Sequence, residues 1–312
     1  MSISRRDLLK GAVVAGAATA VAGAAEAREA VEPSPDAVGM LYDSTLCIGC
    51  RACVTRCKEV NGLPHDRGDG EYQQPVDLNG STKNIIKEFK DGEKRALMKQ
   101  QCMHCVDPSC VSVCMMGALH KEGYAKRHLE GERKGSGIVL WDKYACTGCR
   151  YCQIACPFNV PKFEWASAFP SIVKCELCRH RRDERRSDVY GLANPGCCEV
   201  CPRQAVVYGE RAALLSEARR RIATEPERYQ AHVYGEKEGG GTQVLYLAPA
   251  GVTFANLGLP DLPDGSSAQF SESVSHAPYL HGVTPIALYA AMAGAIWWNH
   301  RKDADRHGKE DE

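Results

Sequence analysis

Four groups of cysteines constrain this chain more than any other feature of its sequence. The 312-residue chain contains 17 cysteines, far more than a domain of ordinary composition uses. The groups are, in chain order, Cys47, Cys50, Cys53 and Cys57; Cys102, Cys105, Cys110 and Cys114; Cys146, Cys149, Cys152 and Cys156; and Cys175, Cys178, one of Cys197 and Cys198, and Cys201. Any fold for this chain must bring these thiols to whatever they bind.

The spacing within the groups indicates iron–sulfur clusters. The first and third groups follow C-x2-C-x2-C-x3-C, and Pro157 closes the third, which is the bacterial ferredoxin pattern. Gly49 and Gly148 lie inside these loops, where the backbone must turn tightly. Three cysteines of such a run bind one cluster and the fourth binds its neighbour. The four groups therefore predict four [4Fe–4S] clusters that occur in pairs.

Other uses of these cysteines explain less of the pattern. A c-type haem requires C-x-x-C-H, whereas His104 lies inside "CMHC", so we interpret it as a loop residue and not a ligand. A zinc-stapled structural module could explain the fourth group but not the ferredoxin runs. A free-standing catalytic oxidoreductase lacks a visible substrate site, since the chain has no Walker loop, catalytic triad or nucleotide fingerprint.

One cysteine of the fourth group is surplus. In the other groups the last two cysteines are separated by three residues, and Cys197 keeps that offset from Cys201 whereas Cys198 does not. A shift of one residue in a helix turns a side chain by about 100°. We therefore predict that Cys197 is a ligand and that Cys198 is a small packed residue beside the cluster; a spare ligand or reactive thiol is the alternative.

The N-terminus has the pattern of an export signal. Arg5 and Arg6 precede an Ala/Val-rich run, and Ala25 to Ala27 offer an A-x-A cleavage site, so residues 1–27 are predicted to be a twin-arginine signal peptide. An ordinary secretory signal is the alternative. The twin-arginine route carries folded proteins, so a metal-loaded protein can use it, and cysteines already holding metal do not pair as disulfides.

The C-terminal residues 278–298 form an apolar segment of the length that a membrane-spanning helix needs, about 20 residues. Tyr279 and Trp298 lie at its ends, and basic residues begin at Arg301. The positive-inside rule then places the tail, residues 299–312, in the cytoplasm and the main domain on the other side. A buried core helix is the alternative.

The charge balance excludes one class of partner. Lys plus Arg and Asp plus Glu number 39 each, which gives no support for nucleic acid binding, since that requires a basic face. The arginine-rich stretch "RHRRDERRSD" between Cys178 and Cys197 includes interleaved acids. It favours a solvated loop over a docking site for an acidic partner.

Short elements alternate with the cysteine loops. The sequence predicts a helix at Arg211–Ile222 and strands at Ile138–Leu140 and Val244–Leu247; Asn84–Phe89 suits a strand or a helix. We therefore expect an α+β fold of ferredoxin-like domains, in which bound clusters supply much of the folding free energy.

The segments "QCMHCVDPSC", "CTGCRYCQIACPFNVPK", "KCELC" and "GEKEGGGTQVLYL", together with the leader and the anchor, resemble a known family. It is the HybA-type family, the iron–sulfur electron-transfer subunits of hydrogenase-2-type membrane-associated [NiFe] hydrogenases, and the resemblance covers essentially the whole mature chain. The cysteine motifs are shared with the β subunits of formate dehydrogenases and of molybdenum reductases, which remain the alternative. The signal peptide favours the hydrogenase type.

The resemblance implies two nested bacterial-ferredoxin-like 2[4Fe–4S] domains followed by a single C-terminal transmembrane helix. Spacing alone also allows consecutive pairing of the groups. The implied ligand sets are Cys47, Cys50, Cys53 and Cys201; Cys57, Cys175, Cys178 and Cys197; Cys102, Cys105, Cys110 and Cys156; and Cys114, Cys146, Cys149 and Cys152. The implied segments are the leader, first group and insert (28–100), the inner domain (101–165), the completion of the outer domain (166–250), a linker (251–277), the transmembrane helix (278–298) and the tail (299–312).

The resemblance also implies a role and partners. The chain would perform no bond chemistry of its own and would relay electrons on the periplasmic side of the membrane. Its expected partners are the small and large subunits of a [NiFe] hydrogenase and an integral membrane subunit linked to quinone.

Overall fold

The computed structural model describes residues 31–65, 75–92, 94–123, 135–165, 170–181, 194–269, 272, 289–298 and 301. The chain divides into one compact unit of residues 29–269 and a second made of residues 1–28 and 270–312. In the first unit short helices and strands alternate with the cysteine loops, so the expected mixture of helices and strands is confirmed.

Most of the elements are short because the cysteine loops interrupt them. The strands are β1 (Val38–Asp43), β2 (Ile85–Asp91), β3 (Lys94–Gln100), β4 (Leu119–Lys121), β5 (Val139–Trp141), β6 (Lys162–Phe163), β7 (Ile172–Val173), β8 (Val206–Glu210) and β9 (Val244–Leu247). The helices are α1 (Ala52–Val60), α2 (Ser109–Ser112), α3 (Tyr151–Ala155), α4 (Gly196–Glu199) and α5 (Arg211–Thr224). Single 3₁₀ turns occur at Arg179–Arg181 and Glu238–Gly240. Helices α1 to α4 all contain cysteines.

A three-stranded sheet of order β8-β1-β9 lies at the centre of this unit. Strand β1 pairs antiparallel with β8, where Val38 faces Glu210, and parallel with β9, where Met40 faces Val244. Every residue of β1 and of β9 is buried, as expected for strands covered on both faces. Because β1 precedes the first cysteine group and β8 follows the fourth, this sheet brings the two groups together.

Three antiparallel hairpins flank the other cysteine groups. Strands β4 and β5 pair with Leu119 opposite Trp141, which brings the end of the second group to the start of the third. Strands β2 and β3 pair over their whole length, and β6 pairs with β7. These local pairings set the positions from which the cysteine loops leave.

Helix α5 covers one face of the central sheet. Its residues Leu214 and Ala218 are fully buried against Leu41, Leu245 and Leu247 of the sheet. The removal of these apolar surfaces from water stabilises the contact by roughly 25 cal/mol per Å².

A buried carboxylate also ties helix α5 to the sheet. Asp43, at the end of β1, is fully buried and pairs with Arg221 of α5 at 3.0 Å. The hydroxyl of Tyr229 donates to the same carboxylate oxygen at 2.9 Å. A buried carboxylate needs such partners.

Two predicted elements are present with nearly the predicted bounds. Helix α5 begins at Arg211 as predicted and ends at Thr224, two residues later than predicted, and β9 has the predicted bounds Val244–Leu247. Both predictions came from strong local patterns, which tertiary contacts did not override.

Two further strand predictions differ in detail. The strand predicted at Ile138–Leu140 is β5, shifted by one residue to Val139–Trp141, because the pairing with β4 sets its bounds. The segment Asn84–Phe89, open between strand and helix, falls on β2. It is a strand because β3 pairs with it, and that partner could not be identified from local pattern.

The segment predicted as a linker, residues 251–277, is packed as far as the structure describes it continuously. Phe254, Leu257 and Leu259 are buried in the main core, and the Ser266 hydroxyl donates to the carboxylate of Asp107 at 2.6 Å. Residues 251–269 therefore belong to the folded unit. Their apolar residues follow neither a helical nor a strand period, so the sequence showed no element there.

Several predicted segments lie outside the described residues: the signal peptide 1–27, most of the arginine-rich stretch, and residues 278–288 of the apolar C-terminal segment. The remainder of that apolar segment, residues 289–298, is helical with exposed side chains. Within the part of the chain that the structure describes, no helix is both long and apolar enough to cross a membrane.

Gly39 in β1 provides a test of the central sheet. A Cβ atom at this position would lie 2.0 Å from the backbone carbonyl oxygen of Gln243. A backbone atom cannot move aside as a side chain can. We therefore expect Gly39→Ala to destabilise the protein by roughly 1–3 kcal/mol or more, which is the usual cost of overpacking. Thermal unfolding of the purified protein measures this.

Gly265→Ala is the matched control, since a Cβ atom added at this position would have no other atom within 4 Å. We expect this variant to stay within about 0.5 kcal/mol of the parent chain. Equal melting temperatures for the two variants would show that β1 and β9 do not approach this closely.

Candidate metal centres

The first of four cysteine sets combines the first group with the end of the fourth. Cys47, Cys50, Cys53 and Cys201 line one cavity, and we call them set 1. Three of them come from the loop after β1 and the start of α1, whereas Cys201 follows α4. Burial raises the pKa of Cys53 to about 12, so this thiol is protonated at neutral pH unless a metal replaces the proton.

Set 2 lies in a second cavity, lined by Cys57, Cys175, Cys178 and Cys197. Cys57 comes from the last turns of α1 and the other three from the fourth group. The side-chain amide of Asn61 points at the sulfur atoms of Cys57 and Cys178, at 3.6 and 4.0 Å. Such donors stabilise negative charge on sulfur.

Set 3 comprises Cys102, Cys105, Cys110 and Cys156. Burial, followed by the nearby charges of Cys156, Cys102 and Cys105, raises the pKa of Cys110 well above its usual value. The four thiols therefore lie near one another, with Cys102 buried and the other three half-buried, although Cys156 comes from the third group and the others from the second.

Set 4 is the counterpart of set 3. Cys114, Cys146, Cys149 and Cys152 line one cavity, with Cys114 from the second group and the others from the third. Burial raises the pKa of Cys152 to about 12, and the charges of its three companions add to the rise. All four ligand sets that the resemblance implied are thus brought together in the structure.

The four C-x-x-C loops share one backbone feature. The residue before the second cysteine has a left-handed conformation in each loop: Gly49 at φ 73°, Gly148 at 72°, His104 at 48° and Leu177 at 50°. Glycine adopts this conformation without steric cost, but a histidine or leucine in it is strained.

The chemistry of these donors suits an iron–sulfur cluster. Every cysteine is a free thiol, and backbone N–H groups point at some of the sulfurs: Ala205 donates to Cys201 at 3.2 Å and Leu177 to Cys175 at 3.4 Å. Hydrogen bonds to sulfur are a recurrent feature of cluster sites. In the described ranges, no three metal-binding side chains gather tightly enough for a single ion; sets 1, 2 and 4 border cavities.

The two adjacent cysteines of the fourth group occupy different environments. Cys197 is buried in α4 and lines the cavity of set 2, whereas Cys198 packs, partly buried, against the main core. A hydrogen bond from the Cys198 thiol lowers the pKa of Cys197, while burial raises the pKa of Cys198. Cys197 is the member of the pair that lines the cavity of set 2.

His104 lies in the loop of the second group and has a structural role that its sequence position does not reveal. It is fully buried, and its Nδ1 atom accepts a hydrogen bond from the backbone N–H of Val139 at 3.0 Å. Burial lowers its pKa well below the usual value, so the ring is neutral. His104 thus holds the cysteine loop against β5.

Four buried lysines near the cysteines, Lys58 among them, were not predicted from the sequence. Lys121 donates to the carbonyl of Cys105 at 2.6 Å, Lys174 donates to the carbonyl of Cys175 at 3.2 Å, and Lys99 is 1% exposed. The signal that could have revealed Lys99 is its place at the end of the apolar run "ALM" within a strand.

The described part of the arginine-rich stretch is structured by ion pairs. Arg181 is buried and pairs with Glu199 of α4 at 3.0 Å, and Arg179 pairs with Glu122 at 2.7 Å. The buried Arg181 therefore differs from the solvated loop expected, whereas Arg179, with its side chain 50% exposed, agrees with that expectation. Residues 182–193 lie outside the described residues.

Comparison with family models identifies the class of protein. Residues 39–115 and residues 94–211 each match a "4Fe-4S dicluster domain", and residues 2–22 match the "TAT (twin-arginine translocation) pathway signal sequence". The chain is thus a ferredoxin-type iron–sulfur protein with two dicluster domains and a twin-arginine signal.

Relatives of known name define the family. The chain is 41% identical to the "Hydrogenase-2 operon protein HybA" of Escherichia coli O157:H7, over 99% of this chain and 100% of the relative. It is 32% identical to the "Formate dehydrogenase, nitrate-inducible, iron-sulfur subunit" of Escherichia coli K12, over 67% of each chain. The chain belongs to the HybA family of iron–sulfur electron-transfer proteins.

The two adjacent cysteines allow a direct test. We expect Cys197→Ser to lose the iron of one cluster, because Cys197 lines the cavity of set 2. Cys198→Ser should keep the full iron content, since a serine can fill the same packed position. Iron and acid-labile sulfide per chain are the measurements, and loss of iron from Cys198→Ser would show that the spacing argument is wrong.

Proposed function

We propose that this chain holds four [4Fe–4S] clusters, one on each cysteine set, and relays electrons within a membrane-bound hydrogenase complex. The observation that carries the proposal is that sets 1, 2 and 4 each place four free thiols from two distant segments around one cavity, while the thiols of set 3 lie near enough for their charges to act on Cys110. When bound, such clusters supply one-electron transfer, and the protein sets their positions and potentials. The chain is therefore proposed to be non-catalytic on its own.

The strand pairings support a nested arrangement of the two domains. The pairing of β1 with β8 brings the first and fourth groups together, and the pairing of β4 with β5 does so for the second and third groups. We propose that the second and third groups form an inner ferredoxin domain and that the first and fourth form an outer one.

Contacts between neighbouring sets support the order 1-2-3-4. Sets 1 and 2 are neighbours because Cys53 and Cys197 lie near enough for the charge of one to affect the pKa of the other. Sets 2 and 3 are neighbours through Cys175 and Cys102. Sets 3 and 4 share α2 and α3, which pack together. We therefore propose the electron path 1-2-3-4, in a direction set by the partners.

Both ends of this path reach the surface. Cys50 of set 1 and Cys149 of set 4 are exposed, whereas sets 2 and 3 have no exposed cysteine. Exposed apolar side chains accompany set 4, including Ile154 at 82% and Trp165 at 70% exposure. Exposed apolar patches on soluble domains mark contact sites, so we propose that the two ends are where electrons enter and leave.

The partners are proposed from the family. A relative named for the hydrogenase-2 operon, matched over its whole length, supports the small and large subunits of a [NiFe] hydrogenase as the catalytic partner and a quinone-linked integral membrane subunit as the other. The twin-arginine signal supports the periplasmic side. We propose residues 278–298 as a single-pass anchor and residues 299–312 as its cytoplasmic tail.

The relative from formate dehydrogenase supports a second candidate, the iron–sulfur subunit of a formate dehydrogenase or of a molybdenum reductase. The relay chemistry is the same in both cases, and the catalytic partner differs. The shorter coverage of that relative, 67% of each chain against 99% and 100% for the hydrogenase-2 relative, favours the hydrogenase.

Purification of the native protein from detergent-solubilised membranes tests the proposal. We expect stoichiometric iron and acid-labile sulfide for four clusters, with the [NiFe] hydrogenase subunits in the same complex. Co-purification of a molybdopterin subunit instead would support the second candidate, and a colourless protein that contains only zinc would falsify the relay altogether.

The exposed end at set 4 gives a further prediction. Ile154→Asp places a charge in the proposed contact, so we expect electron transfer to the partner at that end to fall about tenfold, which corresponds to about 1.4 kcal/mol, while iron content is unchanged. Val76→Asp is the control, because Val76 is 90% exposed and lines none of the cysteine cavities. Dye reduction by the whole complex is the measurement, and equal rates for the two variants would contradict the contact.

A further inference from the structure

Lys99 places a buried ammonium group beside two of the cysteine sets. It lies in β3 directly after the buried residues Ala96, Leu97 and Met98 and is itself 1% exposed. The hydroxyl of Tyr246 donates to the carbonyl of Lys99 at 2.6 Å, which holds the strand at this point. A lysine is almost never this buried without a charged partner.

The side chain of Lys99 faces both set 1 and set 2. It lines the cavity of set 1 together with the cysteines of that set. Its ammonium group also donates to the side-chain amide of Gln101, which lines the cavity of set 2. One cation is therefore shared between two adjacent cysteine sets.

The protein provides no anionic partner for this cation among the described residues. The ammonium group donates to the neutral side-chain amide of Gln101, and none of the ion pairs between described residues includes Lys99. The anions that could compensate Lys99 are therefore those of clusters held by the cysteine sets, whose cavities Lys99 and Gln101 line.

An iron–sulfur cluster held by four thiolates has a net negative charge, which increases when it accepts an electron. A fixed cation nearby stabilises the reduced form more than the oxidised form, so it raises the reduction potential. In a dry interior this effect is much less screened than at the surface.

We propose that Lys99 is the shared counter-ion of the clusters held by sets 1 and 2 and that its charge raises the reduction potentials of both. The inference rests on the proposed function, since it requires clusters on these two sets. Lys99 also offsets the repulsion between electrons on the two neighbouring clusters, so that reduction of one does not prevent reduction of the other. Lys99 thus acts on electron transfer through its charge alone.

Redox titration monitored by electron paramagnetic resonance tests this inference on the full-length protein. Lys99→Met removes the charge and keeps the length of the side chain, and Lys99→Arg keeps the charge. Lys90→Met is the matched control, because Lys90 lies on the neighbouring strand of the same hairpin and is exposed. Iron and sulfide are measured first, so that absence of clusters from the parent protein refutes the proposed function independently of Lys99.

We expect Lys99→Met to lower two of the four potentials, with a shift of at least tenfold in each reduction equilibrium, or about 59 mV for a one-electron couple. Lys99→Arg and Lys90→Met should leave all four unchanged. If Lys99→Met lost clusters while Lys99→Arg kept all of them, the positive charge would be required for the clusters. That result would also support the role of Lys99 as a counter-ion. Unchanged potentials in Lys99→Met, or an equal fall in Lys99→Arg or Lys90→Met, would overturn the proposal.

Discussion

Each cysteine set combines three cysteines of one segment with one cysteine of a distant segment. The rest of the structure depends on this constraint. Cys201 completes the set that begins at Cys47, and Cys156 completes the set that begins at Cys102. A metal centre bound by such a set closes a long loop of chain, so binding and folding are coupled. The β1–β8 and β4–β5 pairings hold the partner segments side by side. Because of these pairings, short helices and strands are enough to bring the cysteines of each set together.

Burial of so many thiols creates an electrostatic problem that the rest of the chain addresses. Burial raises the pKa of thiols such as Cys53 and Cys152 to about 12, so their ionised forms require compensation. Backbone N–H groups supply part of it, as at Cys201, and the buried Lys99 lines the cavity of set 1. The interior is therefore organised by charge as much as by apolar packing.

Much of the site could be predicted because its signal is local. The ferredoxin spacing identified the thiols, and the repeated offset from Cys201 separated Cys197 from Cys198, which the structure places in different surroundings. The left-handed conformations of His104 and Leu177 could not be predicted, because glycine is the residue type that indicates this conformation in a sequence. The sequence did not predict the packing of residues 251–269, because their apolar side chains follow no helical or strand period. These side chains pack against core residues from other parts of the chain.

The sequence by itself predicted which thiols are candidate ligands, since cysteine spacing along a loop limits which thiols can reach one cluster. It left nested and consecutive pairing equally possible, because spacing contains no information about contacts between segments more than a hundred residues apart. Only the tertiary structure decided that Val38 faces Glu210, that sets 1 and 2 are neighbours, and that Lys99 lies beside both. These features depend on long-range pairing and on burial, which arise when the whole chain is folded.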